Sequence, residues 1–199
     1  MKVKNELTVP IEVSARHLHL TKEHVEILFG AGYELQNKRE LSQKGYYVAS
    51  ERVEVVGEKA SASFGILTPL RKQTQVEMSI TDAIKLGVKP CIRMSGDLKN
   101  SASCKLRGPK GELILEEGVI IAKRHIHMND ELAKTYNISD DDNVSVKISG
   151  DRGVTLDHVV VRLDPTFDIT MHIDTDEANA INVNNKNLSY GIVQLAKPS

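Results

Sequence analysis

The chain is written twice, and this repetition limits its possible folds more than any other feature. VSARHLHLTKEHVEILFG stands near the N-terminus, and about a hundred residues later comes IAKRHIHMNDELAKTYNI. Each reads as an apolar strand, then Arg-His-apolar-His-apolar, then a polar cap (Thr21 or Asn129), then a short helical pattern with acidic residues in its first turn. Downstream, ERVEVVGEKASASFGIL and DNVSVKISGDRGVTLDHVVV both alternate and break at a Gly-containing turn, the pattern of a hairpin. QVEMSITDA then matches TMHIDTDEA; aligning Ala83 with Ala178 sets Glu77 opposite His172 and Asp82 opposite Glu177. A fixed-period repeat of strand, helix, hairpin and strand predicts two similar subdomains related by a pseudo-two-fold axis.

The expected fold is mainly β with short helices: two tandem β-barrels, each capped by one helix. Its expected parts are a first barrel over 9–90, a connecting hairpin and strand segment over 91–118, a second barrel over 119–183 and an extended tail over 184–199. The charged start MKVKNEL reads as a frayed end. Aromatics are 4% of the chain against 40% hydrophobic residues overall, so Val, Ile and Leu must build the core, which favours sheet. A net charge of -1 gives no footprint for nucleic acid or an anionic membrane, and no apolar run approaches the ~20 residues that span a bilayer. Cys91 and Cys104 lack Cys-x-x-Cys spacing and are expected as free thiols in a reducing cytoplasm.

Four of the seven histidines form two pairs, His17/His19 and His125/His127. In a strand, residues i and i+2 share a face, so each pair presents two imidazoles side by side, as metal chelation requires. An isolated His-x-His is an ordinary surface pattern, but two at matching positions of a duplicated unit are hard to explain that way. Glu77 and His172 supply a third ligand type at matching positions, although Glu77 alone also suits the solvent face of an alternating strand. Three-ligand zinc sites leave a position open, the catalytic arrangement. Two such sites facing one another would form a dinuclear centre. His24 and His158 break the pattern and are expected at the surface. Arg16 and Arg124 precede the pairs and either flank the metals or pin structure. Arg71, six residues before Glu77 and replaced by Thr166 in the second copy, is either an anion grip or an exposed loop residue.

SARHLHL, LSQKGYYVASERVEVVG, LTPLRKQTQVEMSITDA, AKRHIHM and MHIDTDEANA together resemble the PduL-type phosphate propanoyltransferases, in order and over almost the whole chain. The resemblance implies tandem β-barrels capped by helices and two zinc ions per chain, exchanging an acyl group between coenzyme A and phosphate. It implies His17, His19 and Glu77 on one zinc, and His125, His127 and His172 on the other. It further implies Arg71 as the phosphate contact and Ser95 near the phosphate; Ser95 also reads as a turn serine before Gly96. Gln43, Lys44 and Gly45 fall in a loop associated with coenzyme A, where the family usually has Pro in place of Lys44. The implied partners are acyl-CoA and acyl-phosphate, with coenzyme A and phosphate as their counterparts. A homodimer is admitted by the family and unsupported by the residues. Free cytoplasm is expected, with a bacterial microcompartment left open. The rival readings are a dinuclear zinc hydrolase of a phosphate or thioester, and a non-catalytic metal- or coenzyme A-binding module.

Overall fold

The computed structural model describes residues 6–184 and 189–194. Its strands are β1 (Leu7–Val13), β2 (His17–His19), β3 (Asn37–Glu40), β4 (Tyr47–Val56), β5 (Ser61–Thr68), β6 (Gln75–Glu77) and β7 (Cys91–Arg93). They continue with β8 (Ala102–Arg107), β9 (Glu112–Ala122), β10 (His125–Met128), β11 (Asn143–Ile148), β12 (Val154–Leu163), β13 (Thr170–Ile173) and β14 (Ser189–Gln194). The helices are α1 (Lys22–Phe29), α2 (Ile80–Leu86), α3 (Asp130–Tyr136) and α4 (Thr175–Ile181).

The chain divides into two compact units, one spanning Ala15–Ala122 and the other joining the residues up to Ser14 with those from Lys123 onward. In the first unit the sheet runs β4-β5-β2-β6-β9, and β8 pairs with both β9 and β4, closing six strands into a barrel. Strands β3 and β7 extend it by pairing with β4 and β9. The second unit is a closed barrel in the order β1-β13-β10-β12-β11-β14. The two rings match strand for strand, including which neighbours are parallel: β2 with β5 and β6 with β9 in one, β10 with β12 and β1 with β13 in the other. The expected mainly β fold of two barrels is the observed one.

Four expectations change. The strand before each Arg-His-x-His motif does not join the barrel of that motif: β1 leads to His17 but lies in the second barrel, and β9 leads to His125 but lies in the first. Sequence proximity favours neighbours, yet the two apolar strands are interchangeable in pattern, so alternation carries no information about the barrel each completes. The segment over 91–118 is therefore barrel wall rather than connector, contributing β7, β8 and most of β9. Of the expected tail, 185–188 and 195–199 lie outside the described residues, as do 1–5 of the expected frayed start; Ser189–Gln194 forms β14, paired with β1 and β11. Finally, each copy has two helices, not one. The Thr/Asp-rich segments after Glu77 and His172 are helix starts: Ser79 caps α2, and Asp174 caps α4 in a reciprocal box with Glu177.

The helices form where the sequence placed caps. Thr21 Oγ1 accepts from His24 N at 3.1 Å, and Asn129 Oδ1 accepts from Leu132 N at 2.9 Å. Each helix then buries a short apolar stripe: Val25, Leu28 and Phe29 of α1 and Ala83 and Leu86 of α2 enter the core around Leu18, Val53, Phe64 and Leu106. Ala133, Ala178 and Ile181 enter the second core with Ile126, Val146, Val161 and Met171. Hairpin turns complete the first unit's helix ends. Leu28 O accepts from Lys110 N at 3.0 Å and Leu86 O from Lys59 N at 2.9 Å, satisfying carbonyls left open by the helix. Gly108 and Gly57 make those approaches possible, because a Cβ there would stand 2.3 Å and 2.2 Å from the same carbonyl oxygens.

Candidate metal and anion site

Leu18 and Ile126 are the pivots of the two sites. Both are fully buried in the barrel cores, so alternation turns the histidines on either side of each toward the opposite face. The third residue arrives on the antiparallel neighbour in the same register in both copies: His17 stands opposite Glu77, and His125 opposite His172. The alignment drawn from the repeat is thus a physical equivalence.

In the first barrel one ligand atom from each of His17, His19 and Glu77 lies within 4.8 Å of the others. His17 donates through Nδ1–H to the Ala15 carbonyl, 2.9 Å away, and presents Nε2 to Glu77 Oε2 at 3.5 Å. Two ligands on a tetrahedral zinc at ~2.05 Å stand about 3.3 Å apart, close to that separation. His19 is 3% exposed, and its Nδ1 makes no hydrogen bond of good geometry among the described residues, the Leu67 backbone being a weak partner to the ring. A buried orphan imidazole nitrogen is costly unless something else fills its lone pair, so this residue set fits a metal. Burial, then the neighbouring His17 and Arg71, hold His19 well below the usual histidine range, in the neutral form a ligand needs. Burial also lowers His17, but the charge and hydrogen bond of Glu77 and the Ala15 carbonyl outweigh it and raise its pKa.

In the second barrel the three rings cluster, one pair stacked and two tilted, with centroids 4.8 Å (His125–His127), 5.2 Å (His125–His172) and 4.8 Å (His127–His172) apart. His125 Nδ1 lies 2.8 Å from the Lys123 carbonyl, repeating the His17 arrangement and directing Nε2 away from it. Phe167 stacks on His127 at 4.1 Å. Burial and the proximity of His125 and Arg162 push His127 down to about 3.

The structure also resolves the three arginines. Arg16 donates to Asp82 at 2.7 Å and Arg124 pairs with Glu177 at 3.3 Å, so both brace the histidine strand against the helix that follows the third residue. Arg71 is half-buried and donates through Nη1 to Ser95 Oγ at 3.0 Å; Ser95 Oγ donates in turn to Glu77 Oε1 at 3.3 Å. Burial lowers the Arg71 pKa, and Glu77 and Tyr46 push it back up. Its counterpart Thr166 turns onto Asp164 instead, at 2.8 Å through its backbone N–H and 2.6 Å through its hydroxyl. In the first barrel an arginine and a serine are therefore joined to the trio by hydrogen bonds. Gln43, Lys44 and Gly45 form the tight turn before β4, closed by Tyr46 N donating to Gln43 O at 3.1 Å, with Gly45 at φ 82.

Sequence reading missed Gln75. It is 1% exposed, lies opposite His19, and hydrogen-bonds Glu77, Ser95 and Gly96 at once. Its place two residues before Glu77 in a strand was the available signal. His24, expected at the surface, is half-buried with Nδ1 2.7 Å from Thr74 Oγ1, whereas His158 is exposed. Cys91 and Cys104 are free, and burial pushes the Cys104 thiol up to about 12, which makes it inert.

Comparison with known proteins assigns the chain to a family. A sequence model of the family described as phosphate propanoyltransferase matches residues 10–184. The phosphate propanoyltransferase of Lachnoclostridium phytofermentans is 53% identical over 182 residues, covering 90% of this chain and 85% of its own length. That of Thermotoga maritima is 47% identical over 190 residues, covering 94% and 90%. That of Rhodobacter capsulatus is 43% identical over 178 residues, covering 89% and 83%. The chain belongs to the phosphate propanoyltransferase family and is an enzyme of the acyltransferase class.

Proposed function

We propose that this chain interconverts a short-chain acyl-CoA (propionyl-CoA or acetyl-CoA) and phosphate with acyl-phosphate and coenzyme A, using two zinc ions per chain, one held by each barrel. His17, His19 and Glu77 hold the first, and His125, His127 and His172 the second. The observation that carries this reading is the junction of a His-His-Glu trio with Arg71 and Ser95 in one hydrogen-bonded group. Metal ligands alone would suit many reactions; an arginine and a hydroxyl beside them select for a tetrahedral anion.

Bound zinc supplies positive charge that favours an anionic substrate and a developing oxyanion. The remaining work belongs to the chain. The guanidinium of Arg71 takes two phosphate oxygens, and Ser95 Oγ–H turns from Glu77 to a third. Fixing phosphate beside the thioester converts a two-body encounter into a positioned one. A phosphate oxygen forms a bond to the acyl carbon, the carbonyl electrons move to oxygen, and Arg71 donates to that oxyanion. Collapse breaks the C–S bond, and coenzyme A leaves as thiolate and takes its proton from solvent. The turn of Gln43, Lys44 and Gly45 contacts coenzyme A. Both substrates are soluble, which fits the cytoplasm, and no helix among the described residues is long and apolar enough to cross a membrane.

The test is product identity. Purified protein is incubated with propionyl-CoA and phosphate, and in parallel with propionyl-CoA alone. Acyl-phosphate formed only with phosphate supports the reading. Free propionate released at the same rate without phosphate would show a thioester hydrolase and overturn it.

A further inference from the structure

Gln75 organises the first barrel's trio without belonging to it. The Gly96 N–H donates to Gln75 Oε1 at 2.8 Å, which fixes the amide orientation and leaves the nitrogen, a pure donor, pointing the other way. That nitrogen donates to Glu77 Oε1 and, at 2.9 Å, to Ser95 Oγ. Glu77 Oε1 thus receives two donors, Gln75 Nε2 and Ser95 Oγ, while Oε2 faces His17 Nε2 at 3.5 Å.

We infer that Gln75 is a positioning residue that confines Glu77 to one-oxygen ligation through Oε2 and aims Ser95 for the anion; this rests on the trio being zinc ligands. A carboxylate can bind a metal through one oxygen or two, and the second mode fills the coordination position a substrate needs. Holding Oε1 in hydrogen bonds removes that choice. The second barrel has no such choice to remove, because its third residue is His172, and the position equivalent to Gln75 is Thr170, opposite His127. The glutamine accompanies the carboxylate and is absent where an imidazole replaces it.

Gln75→Glu keeps the volume and removes the donor; Gln75→Met keeps the length and removes all polarity. Wild type and both variants are compared by zinc release to a competing chelator and by the visible absorption of the cobalt(II)-substituted proteins. One of the two metals is expected to bind about 10- to 100-fold more weakly in each variant. The cobalt bands should move toward higher coordination, with phosphate KM raised more than kcat falls. A residue that only filled space would leave the cobalt spectrum of Gln75→Glu unchanged. A wild-type protein with two zinc ions and variants matching it in affinity and spectrum overturn the role of Gln75 alone. A wild type that binds no zinc overturns the ligand reading with it.

Discussion

Arg71→Lys separates anion recognition from metal binding. Lysine keeps the positive charge beside Glu77, so the trio retains its electrostatic surroundings, but it cannot present two parallel N–H groups to a phosphate. The Nη1 bond to Ser95 Oγ, 3.0 Å in the structure, also loses its planar donor, and the hydroxyl is no longer steered from that side. One charge-assisted hydrogen bond contributes about 1.5–3 kcal/mol. At 1.4 kcal/mol per factor of ten, its loss raises the phosphate KM about 10- to 150-fold. The acyl-CoA KM should change little, and zinc content not at all. Initial rates at varied phosphate, with metal analysis of the same samples, provide the measurement. An unchanged phosphate KM would remove Arg71 from anion binding. Loss of zinc would show instead that Arg71 holds the trio together.

His125→Ala removes one imidazole of the second trio and should release one zinc of two and abolish transfer, read by metal analysis and rate; full activity would exclude that site. Gly108→Ala drives a methyl to 2.3 Å from the Leu28 carbonyl and should lower stability by about 1–3 kcal/mol, seen as a lower unfolding midpoint. Burial lowers His24 below 6.5 in the fold, so the unfolded chain binds the extra proton first. This contribution to stability is present above 6.5 and is lost as pH falls through the window below it. His24→Gln should flatten the dependence of the melting temperature on pH in that window, and an unchanged slope would refute the assignment.

The duplication made much of this legible. His17 and His125 were paired by pattern alone, and the structure sets Glu77 and His172 against them in identical register. What the repeat could not reveal was which barrel each apolar strand enters. Strands β1 and β9 carry the same alternation, and their exchange is decided by closure of the two rings, a property of the whole fold. The second helix of each copy was hidden because TDA and TDEA read equally as turns until Ser79 and Asp174 are seen to cap them. Gln75 is silent in the sequence for a related reason. A glutamine in a strand has no chemistry of its own until its amide is found between Glu77, Ser95 and Gly96.

The central claim is acyl transfer dependent on one zinc in each barrel. Its most direct test strips the protein of metal and adds zinc back in steps, while thioester formation from propionyl-phosphate and coenzyme A is followed at each step. The account predicts no thioester from the metal-free protein and a rate that levels off at two zinc ions per chain. Full-rate thioester formation by the metal-free protein would contradict it.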